Sequence, residues 1–113
     1  MRFHSIILAV LLIGSISTAY AGTVDEGLDA YNAENYEQAF SIWEPLAKNG
    51  DPEAQYYLGY LCQTGAGTQQ SSSAALKWYF RAAEQGHLTA RYYMNMMMDM
   101  IEARQGRHAQ PKM

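Results

Sequence analysis

The sequence predicts an all-α fold, a short α/α solenoid of antiparallel helical hairpins with about two and a half repeats and five helices. Three observations predict it. Shifted by 36 positions, the chain matches itself: Ala39 falls on Ala75, Ala47 on Ala83, Gly50 on Gly86, Ala54 on Ala90, Tyr56 on Tyr92 and Tyr57 on Tyr93. Chance gives about one identity in such a window, so the self-similarity is a repeat. Alanines and aromatics recur at three-and-four spacing, which places them on one helical face. Glycines, and a proline behind an acidic residue, punctuate these runs where helices stop and start.

The elements follow in order. Residues 1–21 are set apart first. Arg2 and His4 precede an apolar run, Ile6 to Ile13, and Ala19-Tyr20-Ala21 closes it. A basic start, a short apolar centre and an A-x-A ending predict a cleavable secretory signal peptide. The apolar run is shorter than the roughly 20 residues that span a bilayer, so no stable membrane insertion is expected after cleavage; an uncleaved anchor is the competing reading. The chain is then expected to be periplasmic or secreted, with a repeat domain over 22–104 and a flexible polar tail over 105–113.

Helices are predicted over 24–33, 35–48, 52–64, 71–85 and 88–103. In the second, Ala39, Ile42, Trp43, Leu46 and Ala47 share a face, with a kink or a lost hydrogen bond expected at Pro45. In the fourth, Ala75, Trp78, Tyr79, Ala82 and Ala83 do the same. The small residues let a neighbouring helix approach and the aromatics fill the groove opposite. Gly50 and Gly86 stand where left-handed C-cap residues are expected. Asp51-Pro52-Glu53 reads as a cap, a first-turn proline and a favourable charge at the positive end of the third helix. Gly65-Ala66-Gly67 ends that helix, and Ser71-Ser72-Ser73 is the N-cap region of the fourth.

The stretch AQYYLGYLCQTGAGTQQSSSAALKWYFRAAEQGHLTARYYM resembles the Sel-one-like repeat, a relative of the tetratricopeptide repeat. The matching positions are Ala54, Tyr56, Leu58, Gly59, Gly65 and Gly67, then Ala75, Trp78, Tyr79, Ala82, Ala83, Gly86 and Ala90. LDAYNAENYEQAFSIWEPLAKNG looks like the lead-in such proteins carry. The resemblance implies a right-handed superhelix and an adaptor role in envelope processes, signalling or host contact. Cys62 replaces the family's third-helix tyrosine, and Asn95 stands where glycine is expected. A cysteine-rich branch of the family is associated with penicillin binding and hydrolysis. It staples its hairpins with paired cysteines, which this chain lacks, so the activity does not carry over.

Charge and composition narrow the function. Without Arg2 the chain carries 7 basic against 11 acidic side chains and no basic cluster, which argues against nucleic acid as a partner. Cys62 is the only cysteine, so an internal disulfide is impossible. It reads as a small apolar filler or as a bridge between two copies. Gly65-Ala66-Gly67 lacks the lysine of a phosphate loop, and Ser73 to Lys77 is one residue too long for a Ser-x-x-Lys nucleophile. Glu34 with Glu37 and Asp51 with Glu53 suit helix starts better than acid–base catalysis. No catalytic residue, metal site or cofactor is assigned, and His87 and His108 read as solvated.

What remains is recognition. The first helices of the units carry Tyr31, Tyr56, Tyr57, Tyr60, Tyr92 and Tyr93, and they line the concave face of a solenoid. Tyr56 and Tyr92 are expected inward, with Tyr57, Tyr60 and Tyr93 contacting another protein. MNMMMDM, Met94 to Met100, puts Met94, Met97 and Met98 on one helical face and Met96 with Met100 on another. Three readings stand: terminal core, a contact or homodimer surface on the last helix, and a copper(I) site of soft thioethers.

Overall fold

The computed structural model describes residues 22–108, so the expected signal peptide over 1–21 and residues 109–113 lie outside the described residues. Five helices follow one another: α1 Val24–Asn32, α2 Tyr36–Lys48, α3 Pro52–Thr64, α4 Ser72–Glu84 and α5 Leu88–His108. Each packs extensively on its neighbours in sequence, α1 on α2, α2 on α3, α3 on α4 and α4 on α5. The two hairpins, α1–α2 and α3–α4, are followed by a lone helix, the half repeat expected from the sequence.

Each start and stop has a local cause. Thr23 caps α1 in a capping box, its hydroxyl accepting from Glu26 N while the Glu26 carboxylate accepts from Thr23 N. Asp51 accepts from Ala54 N at 3.0 Å at the start of α3, with Pro52 in the first turn. Ser71 accepts from Ala74 N at 3.2 Å at the start of α4. Helix α2 runs through Pro45 unbroken; the imide simply removes the donor that would have met the Ser41 carbonyl.

The ends of α2 and α4 are built alike. Gly50 has φ 102° and Gly86 has φ 91°, the left-handed region where a side chain is strained. Gly50 N donates to Ala47 O at 3.1 Å and Asp51 N to Leu46 O at 3.0 Å. Gly86 N donates to Ala83 O at 2.9 Å and His87 N to Ala82 O at 3.1 Å. Both are Schellman closures, and they stand 36 positions apart.

Two clusters fill the interior. The first gathers Ala30, Ala39, Trp43, Ala47, Ala54, Leu58 and Leu61. The second gathers Cys62, Ala75, Tyr79, Ala82, Ala90 and Met97. Each is built round one large aromatic, Trp43 or Tyr79, fully buried among alanines. Both rings keep their polar atoms satisfied: Trp43 Nε1 donates to Val24 O at 3.0 Å, and Tyr79 Oη donates to Gln63 Oε1 at 2.6 Å.

Four expectations need correction. Helix α5 continues to His108 instead of ending at 103, so residues 105–108 extend the helix and are not a tail. Tyr92 is 64% exposed, not inward. Its counterpart Tyr56 is half-buried because α5 stands beside it; no further helix among the described residues stands beside Tyr92. His87 is not a solvated turn residue: its Nδ1 accepts from Ala90 N at 3.1 Å, capping α5 where Asp51 caps α3. Cys62 is buried at 6% exposure, which withdraws its thiol from bridging two folded copies and leaves the filler reading. Burial, and then the Glu44 carboxylate, push that thiol's pKa up, so the reactive thiolate is disfavoured.

Candidate functional site

The first helices of the three units converge on a groove of about 300 Å³. Helix α1 supplies Leu28, Tyr31 and Asn32; α3 supplies Tyr56, Tyr57 and Tyr60; α5 supplies Tyr93; and Trp43 forms the floor from α2. The spacing explains the convergence. Tyr56, Tyr57 and Tyr60 stand at i, i+1 and i+4 on one side of α3, and Leu28, Tyr31 and Asn32 stand at i, i+3 and i+4 on one side of α1.

Stacking holds the walls in place. Tyr31 meets Tyr36 edge-on at 5.2 Å and Tyr60 edge-on at 6.3 Å, which joins the first unit to the second. Tyr57 lies flat on Trp43, centroids 4.7 Å apart and planes at 16°. Tyr93 lies on Tyr79 at 5.6 Å and 19°, the same pairing one repeat later. Tyr56 is clasped between Tyr93, at 6.1 Å, and His87, stacked at 4.8 Å. His87 Nε2 in turn meets Glu53 Oε2 at 2.9 Å. A surface of half-buried rings, each fixed by another ring, loses little entropy when a ligand covers it.

Three of these phenols, those of Tyr31, Tyr56 and Tyr57, are held protonated. Burial, and then neighbouring Tyr60, raise the pKa of Tyr31; burial, and then Tyr93, raise that of Tyr56. For Tyr57 burial comes first and Glu53 next. The groove therefore offers neutral hydroxyls, able to donate or accept, and ring faces.

Three of the five expected contact residues, Tyr57, Tyr60 and Tyr93, meet in this one groove. Met96 and Met100 do not join them. They line a separate shallow surface of about 550 Å³ with Tyr92, Asn95, Asp99 and Ala103. The other methionines divide again. Met97 is buried and Met94 packs on the same cluster, while Met98 lies in an apolar groove of about 400 Å³ with Leu76, Phe80 and Ile101. Sequence reasoning missed the floor residue Trp43, and Glu53, which lies beside the groove through its contact with His87 against Tyr56. Glu53 stands three, four and seven positions before Tyr56, Tyr57 and Tyr60, a helical spacing that was available as a signal.

Among the described residues, no group of three or more His, Cys, Asp or Glu side chains could hold a metal ion, and no helix is long and apolar enough to cross a membrane.

The family model described as Sel1 repeat matches residues 21–51 and 52–87, more than half of the chain. The break between its two copies falls at Pro52, where α3 begins. The chain is also similar to chitin synthase regulatory factor 3 of Schizosaccharomyces pombe, 31% identical over 78 residues. That match covers 69% of this chain and 8% of the yeast protein, so the chain spans a small fraction of that relative's length. No solved structure gives a significant match.

Proposed function

The chain belongs to the Sel1-repeat family, whose repeats mediate protein–protein interaction on a non-enzymatic scaffold, and from that premise we propose that it is an exported adaptor module gripping a partner protein in its tyrosine groove. The observation that carries the proposal is the convergence of α1, α3 and α5 on one groove walled by five tyrosines. A repeat scaffold presents the first helices of its units on a continuous surface, and an extended segment laid across them meets each in turn. The proposal places the repeat domain, with α5 running on to His108, behind a signal peptide at 1–21, in the periplasm or outside the cell.

The test is site-resolved photocrosslinking in the cell that makes the protein. A photoreactive phenylalanine at Tyr60 or Tyr93 is expected to give a discrete protein adduct, and one at Glu84, exposed on α4, is expected to give none. Equal adduct patterns from all three positions would overturn the proposal. Export is tested separately by N-terminal sequencing of the protein isolated from its compartment, which should begin at Gly22.

A second reading, self-association through the last helix, rests on a different observation. Helix α5 is the first half of a hairpin whose second half is absent among the described residues. In the preceding unit, Cys62 is buried in one cluster with Ala75 and Tyr79 of α4. Its counterpart one repeat on, Met98, lies 46% exposed in the open groove with Phe80 and Ile101. Light scattering across a dilution series separates this reading from the first. The copper(I) alternative draws on the thioethers of Met96 and Met100 alone at their surface, and copper titration of M96L/M100L against wild type tests it.

A further inference from the structure

We propose that the tyrosine groove selects a partner segment bearing a lysine or arginine side chain, which it holds against ring faces and an acidic rim; this rests on reading the groove as the partner site. Ring faces carry the negative end of the aromatic quadrupole and attract a cation placed over them. Here Tyr31, Tyr56, Tyr57, Tyr60 and Tyr93 surround one cavity. Its volume of about 300 Å³ suits a single long side chain, not a folded surface.

Two carboxylates add charge of the complementary sign. Glu53 occupies the same face of α3 as Tyr56, Tyr57 and Tyr60, and Asp25 stands three residues before Leu28 and seven before Asn32 on α1. Both lie close enough to act on the Tyr57 phenol, whose pKa is raised by burial first, then by Glu53, and also by Asp25. Glu53 is fixed in place by His87 Nε2 at 2.9 Å and stays 49% exposed, so its carboxylate still faces solvent at the groove's edge.

Among the described residues no lysine or arginine lines the groove, and the one basic side chain at its edge, His87, meets Glu53 alone and leaves Asp25 without it. The nearest candidates by sequence are committed elsewhere: Lys48 faces Glu44 at 3.7 Å, Arg81 lies over the Trp78 ring at 5.0 Å, and Arg91 donates to Ala83 O. An anionic segment would meet like charge, and a purely apolar one would desolvate carboxylates without compensation. A cationic side chain satisfies both the rings and the rim.

Amide NMR of the protein reads the outcome, with acetyl-Gly-Arg-Gly-amide, its citrulline and norleucine counterparts, and phosphocholine as probes. The arginine peptide is expected to shift the amides of Tyr57, Tyr60 and Tyr93 and to bind about fivefold more tightly than the uncharged citrulline peptide of the same shape. Added salt should shrink that ratio. Glu53→Gln and Asp25→Asn should each move the ratio toward one while the helical circular dichroism and melting temperature hold. Equal binding of arginine and citrulline peptides overturns the inference, as does the absence of shifts with every peptide. Shifts with phosphocholine alone also overturn it and assign the groove to a lipid headgroup. A groove that crosslinks to a protein from Tyr60 but ignores charge overturns only this inference; loss of that crosslink overturns the adaptor reading beneath it.

Discussion

Gln55 reaches back from α3 to donate its Nε2 proton to the carbonyl of Ala47, at 3.1 Å. Thirty-six positions later Arg91 reaches back from α5 and donates to the carbonyl of Ala83, at 3.2 Å. The residues differ, yet the donor arrives at the same point: the second-last helical carbonyl beneath a Schellman closure. The repeat thus preserves a hydrogen-bond address rather than a residue, because an open helix end needs a donor whatever supplies it. Gln55 is 3% exposed and also accepts from Gln85 Nε2 at 3.0 Å, so it ties the closure after α2 to the closure after α4.

That equivalence predicts which changes at Arg91 are tolerated. Arg91→Gln installs the residue already used one repeat earlier and should melt within a degree or two of wild type. Arg91→Met keeps the apolar stem and removes the donor, with an expected loss of about 0.5–1.5 kcal/mol. Urea unfolding followed by circular dichroism measures both. Equal losses would show that the guanidinium acts through its charge and not through the carbonyl.

Gly59 is predicted to resist the change that ordinarily strengthens a helix. A Cβ at this position would stand 2.9 Å from two ring carbons of Tyr79, a fully buried side chain with no room to retreat. Gly59→Ala should cost about 1–3 kcal/mol through overpacking, outweighing the usual ~1 kcal/mol helix gain. Gly106, in the exposed last turns of α5, has nothing within 4 Å of its Cβ direction. Gly106→Ala should therefore raise stability slightly. Thermal melts of the two variants in parallel decide the point.

Alkaline titration should expose the buried phenol of Tyr79. Burial first, then Tyr56 and Tyr93, push its pKa far above the ordinary tyrosine value. A group with a raised folded pKa binds its proton more tightly in the folded chain. Its contribution is complete below the unfolded value of about 10 and is lost as pH climbs from there toward the folded value. Stability should thus fall above about pH 10, and Tyr79 should ionise only on unfolding. Tyr79→Phe should flatten that fall while costing about 1 kcal/mol at neutral pH for the lost bond to Gln63. Absorbance of phenolate against pH, paired with helical circular dichroism, measures it. An unchanged alkaline midpoint in the variant would assign the fall to other groups.

The fold was legible because its signals are local. Asp51-Pro52, Gly50, Gly86 and Ser71 each mark a helix end through their own backbone chemistry, and the structure uses each as such. The meeting of Tyr57, Tyr60 and Tyr93 was legible for a related reason, since a repeat carries its first helices to one side. The fate of Tyr92 was not. It shares the register of Tyr56, and the register cannot tell that no further helix among the described residues stands beside it. The cap made by His87 was available in the register, since it stands 36 positions after Asp51, but its contact with Glu53 was not: that residue lies 34 positions away on α3 and arrives only on folding. The end of α5 was misplaced for the opposite reason. Its polar last turns looked like a tail, but α-helical geometry persists there on an exposed surface without apolar packing.

The methionines of α5 offer the sharpest contrast between neighbours. Met97 is 4% exposed in the second core cluster and Met98 is 46% exposed in the open groove. Met97→Ala removes a buried side chain that its surroundings cannot refill, with an expected loss of about 2–4 kcal/mol. Met98→Ala should stay within about 0.5 kcal/mol in a dilute monomer. If a second copy covers Met98 and Ile101, the melting temperature of wild type will rise with protein concentration, because association stabilises only the folded chain. In that case Met98→Ala will abolish the concentration dependence while leaving the dilute melting temperature alone. A wild-type melting temperature that is flat from micromolar to millimolar concentration would leave the face of α5 uncovered and the tyrosine groove as the chain's recognition surface.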